Sequence, residues 1–139
     1  MNVTVKHTIS MGHRLHQYNG ICRSLHGHNV TVEVHCDAEE FLDFKVVHAH
    51  LKGVLDDFDH AMVLFAHDPL AKHLLEYKHE RIRIVLLTHE PSTENIAAYV
   101  YHAMKAILPE VFHVRVHETE KYSASTSITA DVPLVRRVD

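Results

Sequence analysis

Two stretches of this chain alternate apolar and polar residues, and between them they dictate the first layer of the fold. In Val3-Thr4-Val5-Lys6-His7-Thr8-Ile9-Ser10, Val3, Val5 and Ile9 fall on one face, and Thr4, Lys6, Thr8 and Ser10 on the other. From about His26 to Cys36 the same period returns, with Val30, Val32 and Val34 sharing a face. A period of two is the mark of a half-buried β-strand. Arg14 to Ser24 breaks the pattern, and Tyr18-Asn19-Gly20 is turn-like, so that segment reads as a loop joining an antiparallel pair.

Parity then places unusual residues on the buried face. Continuing the first strand puts Met11 and His13 on its apolar side, and in the second strand His26 and His28 share the valine face. His13 ends one strand where His26 and His28 begin the next, so three imidazoles are expected at one end of one face. Three histidines around zinc leave an open fourth position, the arrangement of a catalytic rather than a structural site. Cys22 stands four residues before His26, and a thiol beside a dication ionises more readily.

The histidine content must be weighed against this reading. There are 16 histidines in 139 residues, and chance alone supplies roughly two His-x-His pairs in such a chain. Two occur, His26/His28 and His48/His50. The second lies in a segment where Phe44, Val47, Leu51, Val54, Leu55 and Phe58 recur at helical spacing. On a helix, residues i and i+2 do not face each other, so only the strand-borne pair can share a metal.

The rest of the chain alternates helix and strand signals. Asp56 to His60 closes the first helix, a second runs from Asp68 to about Tyr77, and Arg81 to Leu87 reads as a short strand. Pro91-Ser92-Thr93-Glu94 starts a helix, with Ser92 or Thr93 as cap and Glu94 suited to the positive end of the dipole. Ile96, Ala97, Val100, Met104 and Ile107 form its stripe, and Pro109 stops it. From Val111 to Glu118 the alternation assigns Phe112, Val114 and Val116 to the apolar face and ends that face on Glu118, a carboxylate in an odd place unless something polar sits there. Ser125 to Leu134 is the expected last strand. The order predicts a single α+β domain over residues 1–139, an antiparallel sheet with helices on one face. Asp59-His60 is a further acid–base candidate, because a carboxylate can orient an imidazole.

Composition excludes several classes. The net charge is −4 and no basic patch stands out, which disfavours nucleic acid. Two cysteines are too few for a disulfide scaffold. No apolar run approaches the roughly 20 residues of a membrane helix, and the first residues lack a signal-peptide pattern, so a cytoplasmic protein is expected.

Taken together, these segments resemble the 6-pyruvoyltetrahydropterin synthase / 6-carboxytetrahydropterin synthase family, from about Val3 to Thr119. Cys22-Arg23-Ser24-Leu25-His26-Gly27-His28-Asn29 is similar to its most specific motif. His13-Arg14-Leu15, Asp43-Phe44, Phe58-Asp59-His60-Ala61, Pro91-Ser92-Thr93-Glu94-Asn95-Ile96-Ala97 and Glu118-Thr119 follow in the family's order. The resemblance implies the tunnelling fold, a four-stranded antiparallel sheet that joins its copies into a barrel, usually a hexamer of two trimers with sites between subunits. It implies Zn2+ on His13, His26 and His28, with Cys22 as proton acceptor. Asp59 and His60 would form a proton relay, His60 reaching a neighbouring subunit. Glu118 would anchor a pterin ring, helped by Ser92, Thr93 and Glu94. The implied substrate is 7,8-dihydroneopterin triphosphate. The favoured reaction gives 6-carboxy-5,6,7,8-tetrahydropterin, triphosphate and acetaldehyde, toward queuosine; 6-pyruvoyltetrahydropterin synthesis and a non-catalytic pterin- or zinc-binding module are the alternatives. The chain departs from the family's pattern in its abbreviated Glu40-Phe41-Leu42, in a longer Phe65–His89 segment, and after Thr119.

Overall fold

The alternating stretches form a long hairpin. Strand β1 (Asn2–His13) pairs antiparallel with β2 (His26–Asp37), in an unbroken register from Asn2↔Asp37 to His13↔His26. Val3, Val5, Ile9, Met11 and His13 of β1 are buried, as are Val30, Val32, Val34 and Cys36 of β2. A computed structural model describes residues 1–77, 80–128 and 131–138 of the chain.

Two helices cover that face. Helix α1 (Phe44–Leu55) starts where the Asp43 carboxylate accepts the Lys45 N–H at 2.9 Å, and it buries Val47, Leu51 and Leu55. A second long helix, Thr93–Ile107, is capped by Ser92, whose hydroxyl accepts the Asn95 N–H at 3.2 Å. It buries Ile96, Ala97, Val100, Tyr101 and Met104, as the stripe predicts except that Ile107 is exposed. Phe58, expected on the first helix, lies just beyond its end, fully buried against Tyr99.

The sheet is larger than expected. Between α1 and the capped helix come β3 (Ala61–Phe65), a short helix α2 (Pro69–Leu75) and β4 (Ile84–Leu87); the capped helix is therefore α3. After it come β5 (Val111–His117), β6 (Ser123–Thr126) and β7 (Val135–Val138). The strands lie in the order β6-β5-β2-β1-β3-β4-β7. Antiparallel β6-β5-β2-β1 corresponds to the expected four strands. The extension corrects the rest: β3 runs parallel to β1, β4 parallel to β3, and β7 antiparallel to β4. Ala61-Met62-Val63-Leu64-Phe65 was missed because it does not alternate; strands buried on both faces read as continuous apolar runs.

The helices do not all lie on one face, a second correction. In β3 and β4, Ala61, Val63, Val85 and Leu87 join the main core beneath α1 and α3. Their neighbours Leu64, Ile84 and Leu86 form a separate core with Ala71, Leu74 and Leu75 of α2. Since successive strand residues face opposite ways, α2 packs on the far side of the sheet. The expected strand over Ser125–Leu134 is also corrected. Its start belongs to β6, the chain leaves the sheet, and positions 129 and 130 lie outside the described residues. Phe112, expected on the apolar face, is 38% exposed. The register slips between His113↔His35 and Val111↔Cys36, and this bulge gives the buried position to Val111.

Helix α2 is tied to the hairpin by a buried ion pair. The Asp68 side chain is fully buried, accepts from Arg14 Nε at 2.7 Å and Nη2 at 2.5 Å, and also caps α2 through the Leu70 N–H at 2.8 Å. Burial pushes the Asp68 carboxyl upward, but the Arg14 guanidinium and the Leu70 N–H outweigh it and hold the group below its usual value. The stabilisation from a depressed carboxylate is fully present above about pH 4, the unfolded value, and is lost as pH falls through the folded one. Asp68→Ala is therefore expected to cost about 3–5 kcal/mol at neutral pH by leaving Arg14 uncompensated. Denaturant unfolding followed from pH 7 to pH 3 should show a steeper loss of stability in the wild type than in this variant.

Candidate metal centre and active site

The hairpin register builds the site. His13 and His26 are direct partners across β1 and β2, and Met11 is the partner of His28. All three imidazoles therefore emerge from one face at one end of the sheet. Their ring centroids lie 4.6, 4.9 and 5.3 Å apart. Glu118, just past the end of β5, completes the group, and one donor atom from each of the four residues lies within 4.8 Å of the others. The odd carboxylate at the end of an apolar strand face thus has its polar neighbours.

Two of the rings are oriented by backbone carbonyls. His13 Nδ1 donates to the Pro91 carbonyl at 2.8 Å, and His26 Nδ1 to the Ser24 carbonyl at 2.6 Å. A carbonyl can only accept, so both rings carry their proton on Nδ1 and present the Nε2 lone pair. This is the arrangement by which outer partners set the tautomer of metal-binding histidines. His13 Nε2 and His28 Nε2 are buried without a hydrogen-bond partner, and they face Glu118 Oε1 at 3.4 and 3.6 Å. Buried acceptors left unpaired are costly, and lone pairs aimed at a carboxylate repel unless a cation lies between them. Burial pushes the His13 imidazole below its usual value, reinforced by His26 and His28 and opposed by the Pro91 carbonyl and Glu118. The ring is thereby kept neutral and ligand-competent. The donor set of nitrogens with one carboxylate oxygen fits a divalent ion of the zinc type.

Of the other expected residues, Cys22, Asp59, His60 and Glu94 do not join the four-residue group. Cys22 sits in a one-turn 3-10 helix, Ile21–Arg23, in the β1–β2 loop, half-buried and with a free thiol. Its carbonyl accepts the Leu15 N–H at 2.8 Å, which pins the loop just beyond His13. Asp59 and His60 form the turn into β3. Asp59 Oδ1 accepts the Ser10 N–H at 3.1 Å and His60 Nδ1–H at 2.9 Å. The Ser10 N–H, with His60 and His7, holds this carboxyl below its usual value against the opposing effect of burial. The His60 imidazole is 76% exposed and does not join the four-residue cluster. Ser92 is occupied as the α3 cap, and Thr93 and Glu94 form the first turn of that helix.

Two supporting residues escaped the sequence. Pro91 was read as a helix start, yet its carbonyl orients His13. Glu90 accepts the His16 and Gln17 N–H groups, both at 3.0 Å, and its own carbonyl accepts Asn95 Nδ2 at 2.8 Å. These bonds stitch the β1–β2 loop to the start of α3, across some 75 residues of chain, and no local pattern announces them. His48, expected on a solvated face, instead meets His7, Nε2 to Nδ1 at 3.2 Å.

Metal analysis checks the centre. The intact chain is expected to hold close to one divalent ion, and His13→Ala or His28→Ala should bring that stoichiometry near zero while the far-ultraviolet dichroism keeps its form.

Comparison with known proteins identifies the family. Residues 2–128 match the family model described as 6-pyruvoyl tetrahydropterin synthase. A 6-carboxy-5,6,7,8-tetrahydropterin synthase of Rickettsia bellii is 30% identical over 108 residues, 73% of this chain and 75% of the relative. One of Aquifex aeolicus is 28% identical over 97 residues, 64% of this chain and 60% of the relative. Among solved structures, an uncharacterized protein of Wolinella succinogenes superposes with a TM-score of 0.78 at 21% identity, covering 91% of this chain and 97% of the other. The 6-pyruvoyl tetrahydropterin synthase of Caenorhabditis elegans does so at 0.66 and 20% identity, covering 91% and 94%. With the family match running through the metal-centre residues and nearly the whole sheet, this chain belongs to the 6-pyruvoyl tetrahydropterin synthase family.

Proposed function

We propose that this protein is a zinc-dependent lyase that converts 7,8-dihydroneopterin triphosphate to 6-carboxy-5,6,7,8-tetrahydropterin, releasing triphosphate and acetaldehyde. The observation that carries the reading is the pair of buried, unpartnered Nε2 atoms of His13 and His28 beside Glu118. The names of the 28–30% identical relatives favour the carboxy product.

His13, His26 and His28 would hold the ion, with their proton-bearing nitrogens turned away to Pro91 and Ser24 where the contacts are given. When bound, zinc supplies Lewis acidity to the oxygens of the substrate side chain and so acidifies the neighbouring C–H. Cys22 takes that proton. His60, oriented through Nδ1 by Asp59, moves protons at the next carbon. Glu118 accepts hydrogen bonds from the N–H edge of the pterin, which a carboxylate can do with both oxygens. Ser92, Thr93 and Glu94, at the start of α3, would help Glu118 hold the ring.

The outward exposure of His60 supports a site shared between subunits. The sheet edges support an assembly. Strand β3 pairs with β1 only at Met11–His13, so most of the outer edge of β1 is open, and β6 ends the sheet at the opposite side. Open edges invite pairing with another copy, and joining β1 to a neighbour's β6 would close a ring of sheets, consistent with a hexamer of two trimers. No helix among the described residues is long and apolar enough to cross a membrane.

Incubation with 7,8-dihydroneopterin triphosphate, followed by mass identification of products, tests the reading. The expected products are the carboxy pterin and acetaldehyde; a pyruvoyl pterin without acetaldehyde would overturn the choice of reaction. Cys22→Ala should keep its zinc and lose turnover by about 10²-fold or more. Full turnover in that variant would remove the thiol from the chemistry, and zinc binding with no turnover by the wild type would favour a binding module.

A further inference from the structure

The inward row of β1 carries a second polar residue besides His13. Val3, Val5, Ile9 and Met11 are buried, and His7 stands among them on the same face, half-buried. A polar ring on an apolar strand face needs a partner, and it finds one on α1. His7 Nδ1 and His48 Nε2 lie 3.2 Å apart. Among the described residues neither ring has another hydrogen-bond partner. Neither belongs to the group of His13, His26, His28 and Glu118.

The pair has the geometry of two ligands on one ion. Its ring centroids are 5.0 Å apart and its planes inclined at 74°. Among His13, His26 and His28 the separations run from 4.6 to 5.3 Å and the inclinations from 57° to 83°. Two nitrogens on a tetrahedral zinc, each about 2.0–2.1 Å from the metal, stand about 3.3 Å from each other. Each neutral ring carries one N–H. Moving the bridging proton to the outward nitrogen of its own ring turns both lone pairs inward. An ion therefore enters between the rings with no net loss of protons.

The surroundings suit a cation. Burial, with His48 and Lys52, holds His7 below its ordinary value against the pull of Asp59 and Asp56, so the ring stays neutral. Lys52 is itself paired with Asp56 at 3.1 Å. Beside His48 opens a cleft of about 450 Å³, lined by Thr4, Val5, Phe44, Lys45 and His48. It gives an ion a way in and room for its remaining waters.

We propose that His7 and His48 form a second, weaker site for a divalent ion of the zinc type, which clips α1 to β1. Imidazole nitrogens select Zn2+, Ni2+ and Cu2+ over Mg2+ and Ca2+. Two protein ligands hold such an ion less tightly than three histidines and a carboxylate, so it leaves on dialysis and returns when metal is added. The two rings meet only when α1 lies on β1, so the bound ion stabilises the fold by mass action. The site stands independently of the lyase reading, because neither ligand takes part in the proposed reaction.

Titration calorimetry with Zn2+ tests it, on chain that already holds one equivalent and has been dialysed free of excess. One further equivalent per chain is expected, and with it a rise in the thermal midpoint. His7→Gln and His48→Gln should each weaken this second binding by about tenfold or more, at least what is lost with an outer partner of a metal ligand. His50→Gln, on the same helix but turned away from His48, should leave it unchanged. His13→Ala should empty the first site and keep the second. Thermal midpoints without added metal check that the variants fold; His48→Gln, on the helix, decides the matter if His7→Gln does not. No second equivalent in the wild type, full affinity in His48→Gln, or equal loss in His50→Gln overturns the assignment. Loss of both ions in His13→Ala does so too.

Discussion

The pairing of His13 with His26 is the contact on which the site depends. It is the last rung of a register that begins at Asn2↔Asp37, and every rung before it is held by burial of Val3, Val5, Ile9, Val30, Val32 and Val34. A slip of one residue in either strand would turn that strand's apolar set to solvent and send its imidazoles to the other face. The energy that aligns the ligands is therefore mostly hydrophobic and lies away from them. The local contribution is smaller and directional: two carbonyls, from Ser24 and Pro91, which decide where each ring keeps its proton.

The same hairpin end gathers the rest of the molecule. The carbonyl of Pro91 comes from the start of α3, the Glu90 carboxylate holds the backbone of the β1–β2 loop, and Arg14 reaches Asp68 at the start of α2. The loop carrying Cys22 is thus clamped between elements on both sides of the sheet. Preorganisation of this kind suits a site whose ligands and acid–base groups come from distant parts of the chain.

The sheet has two different faces at this end. Toward α1 and α3 it offers three imidazoles and one carboxylate, a group that could hold a metal ion. Away from them it offers glycines, two arginines and His60. The parallel extension β3-β4 carries His60 at its entry and Arg81 and Arg83 before its second strand.

Alternation in the chain was enough to place β1, β2 and the later part of β5, and with them His13, His26, His28 and the anomalous Glu118. Periodicity records which residues face the core, and these positions lie on strands with one buried face. Helices α1 and α3 were equally legible from their stripes and caps. Tertiary structure alone decided the rest. The Ala61–Phe65 strand is buried on both sides, so its sequence carries no period; Arg81–Leu87 reads as a short strand, but its parallel pairing with Ala61–Phe65 and the far-side position of α2 exist only in the fold. Glu90, the Pro91 carbonyl and the Arg14–Asp68 pair act across tens of residues, through contacts that exist only once the sheet has formed. Local sequence specifies which way a side chain faces, because the strand period is a property of neighbouring bonds. Which distant group it meets is settled by packing the whole chain.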